Sequence, residues 1–102
     1  MAFVYLLRCA DRSLYCGWST DLDARLAKHA DGTAARYTAP RRPVELAAAW
    51  RTETPTQARS LEGKIKRLSA REKRSLVAGT PIGDLVALGD AAAPVALGTD
   101  GN

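Results

Sequence analysis

Ala2-Phe3-Val4-Tyr5-Leu6-Leu7-Arg8-Cys9, Ala10-Asp11-Arg12, and Ser13-Leu14-Tyr15-Cys16-Gly17-Trp18-Ser19 are the stretches whose reading decides the fold. Two short runs of apolar, branched and aromatic residues flank a polar, turn-compatible link, which predicts a β-hairpin. Register then becomes the important quantity. Side chains alternate between the faces of a strand, so Tyr5 and Tyr15 share a face only if the hairpin loop has an odd number of residues. A three-residue loop at 11–13 would set Tyr5 opposite Ser19 and Cys9 opposite Tyr15. Cys9 and Cys16 would then point to opposite faces, which argues against a disulfide.

Working outward, a helix is expected to begin at Ser19 or Thr20, where Thr20 and Asp23 resemble a capping box. Its buried stripe would be Leu22, Leu26 and Ala30. Arg25 and His29 lie four residues apart and so project from one face, close to that stripe. Residues 31–42 read as a loop crowded with Arg36, Tyr37, Arg41 and Arg42. Residues 44–50 read as a candidate third strand, weakened by Ala47-Ala48-Ala49. Thr54-Pro55-Thr56-Gln57 signals a helix start, with Thr as cap, Pro at the first helical position and Gln completing the box. That helix carries Ala58, Leu61, Ile65 and Leu68 on one face, with Glu62 beside them. Ser69-Ala70-Arg71-Glu72 is a second capping box and opens a helix running to about Ala78, with Gly79 after it.

This order predicts an α+β domain over residues 1–79, a small three-stranded antiparallel sheet flanked by helices. The site is expected on one sheet face against the first two helices. From residue 80 the composition turns to Gly, Ala and Pro, so residues 80–102 read as a short C-terminal extension, expected to be mobile.

The chain has 102 residues and a formal net charge of +4. All 15 Lys and Arg precede residue 75, against 8 acidic side chains before residue 80, so the folded part carries a surplus of +7. A small domain of that charge attracts polyanions, nucleic acid above all. Two cysteines make no disulfide framework, and one histidine makes a four-ligand zinc site untenable. No apolar run reaches the roughly 20 residues needed to cross a bilayer, and no basic leader precedes the first strand. A reduced, cytoplasmic protein with no membrane partner is the expectation.

Taken singly, the candidate site residues have ordinary explanations. Tyrosines in strands pack cores, an arginine on a helix is commonly solvated, and Glu62 with Arg59 and Lys66 could be a surface ion-pair ladder. Their order along the chain is what carries information. Val4-Tyr5-Leu6, Tyr15-Cys16-Gly17, the segment Asp21-Leu22-Asp23-Ala24-Arg25-Leu26-Ala27-Lys28-His29, and Glu62 with Ile65-Lys66-Arg67-Leu68 follow one another. In that order the chain resembles the GIY-YIG nuclease superfamily, in particular its small stand-alone bacterial members of the UPF0213 group. The likeness runs from about Phe3 to Leu76.

The resemblance implies a divalent-metal-dependent endonuclease that hydrolyses phosphodiesters, with Tyr5, Tyr15, Arg25, His29 and Glu62 as catalytic residues. Tyr5 would be the base, and Arg25 the fork that clamps a phosphate. Tyr15 would position water or phosphate, and His29 would accept a proton or hold Tyr5. Glu62 would hold one largely hydrated Mg²⁺ or Mn²⁺, since magnesium keeps most of its waters. Nucleic-acid contacts are expected from Trp18, Arg36, Tyr37, Arg41, Arg42, Lys64, Lys66 and Arg67. Trp18 or Tyr37 could stack on an unpaired base, which suits single-stranded or branched DNA better than sequence reading in a duplex. Two rivals remain: a catalytically silent nucleic-acid-binding module, and a nuclease subunit that needs a protein partner for targeting.

Overall fold

The computed structural model describes residues 1–86 and 93–95. Strand β1 spans Ala2–Arg8 and pairs antiparallel with β2, Leu14–Ser19, and with β3, Glu45–Thr52. A two-residue β4, Ala93–Pro94, extends the sheet beyond β3, giving the order β2-β1-β3-β4. Three α-helices are present among the described residues: α1 over Leu22–Asp31, α2 over Pro55–Lys66 and α3 over Ala70–Val77. The α+β class with three principal antiparallel strands is as the sequence predicts. The expected tail lies largely outside the described residues, but Ile82 and Val86 are buried against the main core.

The hairpin is tighter at its start than expected. Cys9 N–H donates to the Ser13 carbonyl at 2.9 Å and Arg12 N–H to the Cys9 carbonyl at 2.9 Å, so the loop is residues 10–12 rather than 11–13. The Asp11 carboxylate fixes this turn by accepting from the Ser13 hydroxyl at 2.6 Å and its backbone N–H at 3.0 Å. The register therefore shifts: Tyr5 faces Gly17, not Ser19, and Tyr15 faces Leu7, not Cys9. The loop length stays odd, so the two tyrosines do share a face.

That parity sorts the core into two halves. Ala2, Val4 and Leu6 of β1, with Cys16 and Trp50, pack against Ala58, Leu61 and Ile65 of α2 and Leu76 of α3. Tyr5, Leu7 and Ala49 face the other way, toward Tyr15 and toward Leu22 and Leu26 of α1. The first two helices thus lie on opposite sheet faces, which corrects the expectation of one shared face. In β3 the pairing with β1 slips between Leu6 and Leu7, skipping Ala47. This bulge keeps both Leu46 and Ala49 on the α1 side.

Helix α1 starts later than predicted because Asp21, not Thr20, caps it by accepting from Ala24 N–H. Its buried residue is His29; Ala30, expected in the stripe, is exposed. Helices α2 and α3 begin as read, with capping boxes Thr54–Gln57 and Ser69–Glu72 complete. Between α1 and β3 the chain makes one 3-10 turn, Ala39–Arg41, and presses Thr38 into the interior.

Candidate active site

Tyr5 stands on the central strand β1 and is 1% exposed. Its two cross-strand neighbours are Gly17 and Ala49, both small, which leaves room for the ring to lie across the sheet. The approach is close: a Cβ on Gly17 would sit 2.5 Å from the Tyr5 hydroxyl and 2.7 Å from Cζ. Gly17 is therefore required by the tyrosine above it and not by backbone conformation.

His29, in the last turn of α1, meets that hydroxyl. Tyr5 Oη lies 2.8 Å from His29 Nε2, and His29 Nδ1 lies 2.8 Å from Thr38 Oγ1. The Thr38 hydroxyl itself donates to the Ala35 carbonyl at 3.4 Å. This last contact is long for a hydroxyl donor, and it favours one direction for the chain. With its hydrogen given to Ala35, Thr38 Oγ1 accepts from His29 Nδ1–H, and Nε2 is left to accept from the Tyr5 hydroxyl.

Electrostatics agree. Burial, followed by the Arg25 charge, pushes the imidazole below its usual pKa, so it is neutral at pH 7. Burial also pushes Tyr5 up to about 12, against which the Arg25 guanidinium acts through its charge and a hydrogen bond. Tyr5 at rest is a phenol whose proton already points at an acceptor.

Tyr15 borders the same cluster. Its ring centroid is 5.4 Å from that of His29, and on its other side it stacks on Tyr37 at 5.7 Å and 23°. The Arg41 guanidinium sits 3.9 Å over the Tyr37 ring and also donates to Asp11 at 3.0 Å and to the Tyr37 carbonyl at 2.8 Å. Arg25 reaches from α1 toward the Trp18 carbonyl of β2 at 3.5 Å. Tyr5, Tyr15, Arg25 and His29 thus meet as one group.

Glu62 stands apart from that group. It lies on α2, its side chain 19% exposed, and pairs with Lys66 at 3.5 Å. Its charge acts on the Cys16 thiol, which burial and then Glu62 push up to about 12. Cys16 belongs to the α2 side of β2, whereas Tyr15 and Gly17 belong to the α1 side. Among the described residues, Glu62 makes no hydrogen bond or ion pair with the tyrosine–histidine group. The two parts of the expected site flank the edge strand β2, one on each side. Trp18 likewise packs against the α2-side core, and Arg42 ties its loop to the Ala39 and Ala30 carbonyls at 2.8 and 3.5 Å.

A single half-buried carboxylate suits a magnesium ion that keeps most of its water shell, and no group of three or more His, Cys, Asp or Glu ligands forms among the described residues. The donor set fits a loosely held hard cation.

Residues 1–75 match the GIY-YIG catalytic domain model. The chain belongs to the GIY-YIG family. It is 44% identical over 75 residues to a UPF0213 protein from Halalkalibacterium halodurans, covering 74% of this chain and 80% of that one. A UPF0213 protein from the archaeon Natronomonas pharaonis is 43% identical over 76 residues, covering 74% and 89%. The solution structure of the same UPF0213 protein of Halalkalibacterium (Bacillus) halodurans superposes with a TM-score of 0.51 at 39% identity, over 89% of this chain and all of that one. GIY-YIG membership places the chain in a nuclease family whose members act on nucleic acid and generally use divalent metals. Among the described residues no helix is long and apolar enough to cross a membrane.

Sequence reading missed two GIY-YIG-domain residues that the structure brings forward. Thr38 orients His29, and its only signal was that a lone buried histidine needs a second partner. Arg12 occupies the hairpin loop, at the third loop position, where three-residue hairpins favour glycine.

Proposed function

We propose that this GIY-YIG domain is a divalent-metal-dependent endonuclease that hydrolyses phosphodiester bonds in DNA, single-stranded or branched in preference to sequence-specific duplex. The observation that carries the reading is the directed chain from Tyr5 through His29 to Thr38, with Arg25 beside it. As a water attacks phosphorus, its proton passes to the Tyr5 oxygen while the phenolic proton passes to His29 Nε2. Such a relay avoids a free phenolate, which burial makes costly. The water oxygen bonds to phosphorus, the bond to the leaving sugar oxygen breaks, and that oxygen takes up a proton from solvent, to which His29 then returns its own. Arg25 neutralises a non-bridging oxygen, and its bidentate fork fixes the phosphate against Tyr5. Tyr15 holds the histidine ring and the phosphate in line.

Glu62 would hold the Mg²⁺ or Mn²⁺, whose charge would stabilise developing negative charge on the phosphate. Arg36, Arg41, Arg42, Lys64, Lys66 and Arg67 supply further positive charge for the DNA backbone, and Trp18 and Tyr37 the aromatic surface. For Tyr37 that surface is already shared with Tyr15 and Arg41.

The test is cleavage of labelled single-stranded, duplex and branched DNA with Mg²⁺, Mn²⁺ or EDTA, beside Tyr5→Phe and Glu62→Ala. Metal-dependent cutting lost in both variants supports the reading; cutting at wild-type rate in either sinks it. One observation favours a second reading, a silent binding module: Glu62 is engaged by Lys66 on the far side of β2. That module would bind DNA in a salt-sensitive manner and yield no product with any metal.

A further inference from the structure

Beyond the tyrosine–histidine group, the surface between the hairpin loop and α3 forms two adjoining hollows. One, about 240 Å³, is lined by Arg12, Ser13, Leu14, Tyr37, Lys73 and Arg74, along with Ala70. The other, about 720 Å³, is lined by Arg8, Leu14, Arg74 and Val77, among others, and again by Arg12. Because Arg12, Leu14 and Arg74 border both, the hollows join into one groove.

Among the described residues no carboxylate lines this groove. The acidic groups nearest in the chain already have partners: Asp11 holds Ser13 and Arg41, Glu45 neutralises Arg8 at one end of the groove, and Glu72 accepts from the Ser69 N–H. Arg12, Lys73 and Arg74 make no ion pair among the described residues. Three uncompensated cations thus converge on one concave surface, with Leu14 and Val77 as its apolar floor.

Arg12 is informative for a second reason. It has a φ of 71°, the sole positive φ outside glycine among the described residues. In a three-residue hairpin loop the third position is left-handed and glycine serves it without strain. A long cationic side chain there carries a conformational penalty that glycine would not.

The groove also has a defined relation to the candidate active site. Tyr37 lines it, and Tyr37 stacks on Tyr15, which in turn abuts His29, in two ring-to-ring steps of 5.7 and 5.4 Å. A strand whose scissile phosphate sits at Tyr5 and Arg25 would pass over this aromatic pair and enter the groove within a few nucleotides. We propose that the groove of Arg12, Lys73 and Arg74 is a subsite for the phosphates of a single nucleic-acid strand flanking the scissile bond. The inference deepens the nuclease reading and rests on it for the polarity of the path, but not for the binding itself.

The experiment is fluorescence anisotropy with a labelled 20-nucleotide single strand, in EDTA so that nothing is cut, as a function of KCl. The proteins are wild type, the triple variant R12A/K73A/R74A, and R51A/R59A as a charge control outside the groove. Each phosphate contact on a single strand contributes about 0.7 to the salt slope, so losing three flattens it by about 2 and weakens binding roughly a hundredfold near 0.1 M salt. The control should change the slope far less. Equal slopes and affinities for wild type and triple variant would overturn the proposal. A second variant separates role from folding. Arg12→Gly should keep or raise the thermal midpoint while weakening binding; a lower midpoint with unchanged binding would also overturn it. Because binding is read without metal, a protein that never cuts DNA still decides this question, and failure of catalysis is distinguishable from failure of the groove.

Discussion

Replacing Gly17 by alanine tests the core of the site through a single methyl group. The new Cβ would lie 2.5 Å from the Tyr5 hydroxyl and 2.7 Å from Cζ, whereas non-bonded carbons rest at about 3.5–4.0 Å. The tyrosine must therefore retreat by about 1 Å. It has little room, being 1% exposed and flanked by Ala49 on the next strand. A movement of that size takes the 2.8 Å bond to His29 beyond useful length. Overpacking costs about 1–3 kcal/mol, and a buried hydroxyl left without its partner about 1–3 kcal/mol more. Loss of glycine's unfolded-state freedom returns about 0.5–1 kcal/mol. A net destabilisation of about 1–5 kcal/mol follows, with a midpoint of about 3, and each kcal/mol lowers Tm by roughly 4–8 °C for a domain of this size. Thermal unfolding by circular dichroism, with DNA cleavage alongside, is the assay. In a Tyr5→Phe background the penalty should shrink by about 1 kcal/mol, since the nearest contact and the orphaned hydroxyl are both gone. A Gly17→Ala protein with wild-type Tm and wild-type cleavage would refute the reasoning.

Other consequences can be checked directly. Thr38→Val removes the acceptor for His29 Nδ1–H; cleavage should fall by about tenfold or more while Thr38→Ser retains most of it, and ¹⁵N NMR of the imidazole should show the tautomer losing definition. Folded His29 has a depressed pKa, so the unfolded chain binds the proton more readily and stability falls as pH drops from about 6.5 toward the folded value. Cleavage should rise over the same interval as the neutral acceptor forms, then level off. Tyr5 behaves in the opposite sense: its folded pKa is raised from 10 to about 12, so stability is intact below pH 10 and drains away between the two values, by up to about 3 kcal/mol. Urea titrations at several pH values read both effects. Finally, Cys9 and Cys16 are buried thiols held above their usual pKa, so the native protein should resist alkylation at pH 8 until urea unfolds it.

Much of the fold was legible because its signals are local. The Thr54 and Ser69 capping boxes each specify a start within four residues, and the structure places α2 and α3 there. The shared face of Tyr5 and Tyr15 needed only the parity of the hairpin loop. Less was legible where an answer depended on one residue more or less. Asp11 accepts from Ser13 and moves the loop by one position, which turns Tyr5 from Ser19 to Gly17 and gives that glycine its meaning. The partition of helices between the two sheet faces was not readable at all, since a stripe on α2 says that it packs but not on which side. So the group of Tyr5, Tyr15, Arg25 and His29 came together as its order suggested, while Glu62 came to rest behind β2. Thr38 was invisible for a related reason: it lies in a loop without periodicity, nine residues from the helical histidine that it touches.

Among the described residues, strand β2 ends the sheet on one side, whereas β3 pairs with Ala93–Pro94 on the other. An open strand edge is a template for pairing with a second chain. Here the same edge separates the tyrosine–histidine group from Glu62, so any substrate that engages both must lie across it. The ligand would then act as the sheet's missing guard, and colloidal behaviour would be tied to occupancy. Ligand-free protein should self-associate through β2 at high concentration, and a bound strand should suppress it.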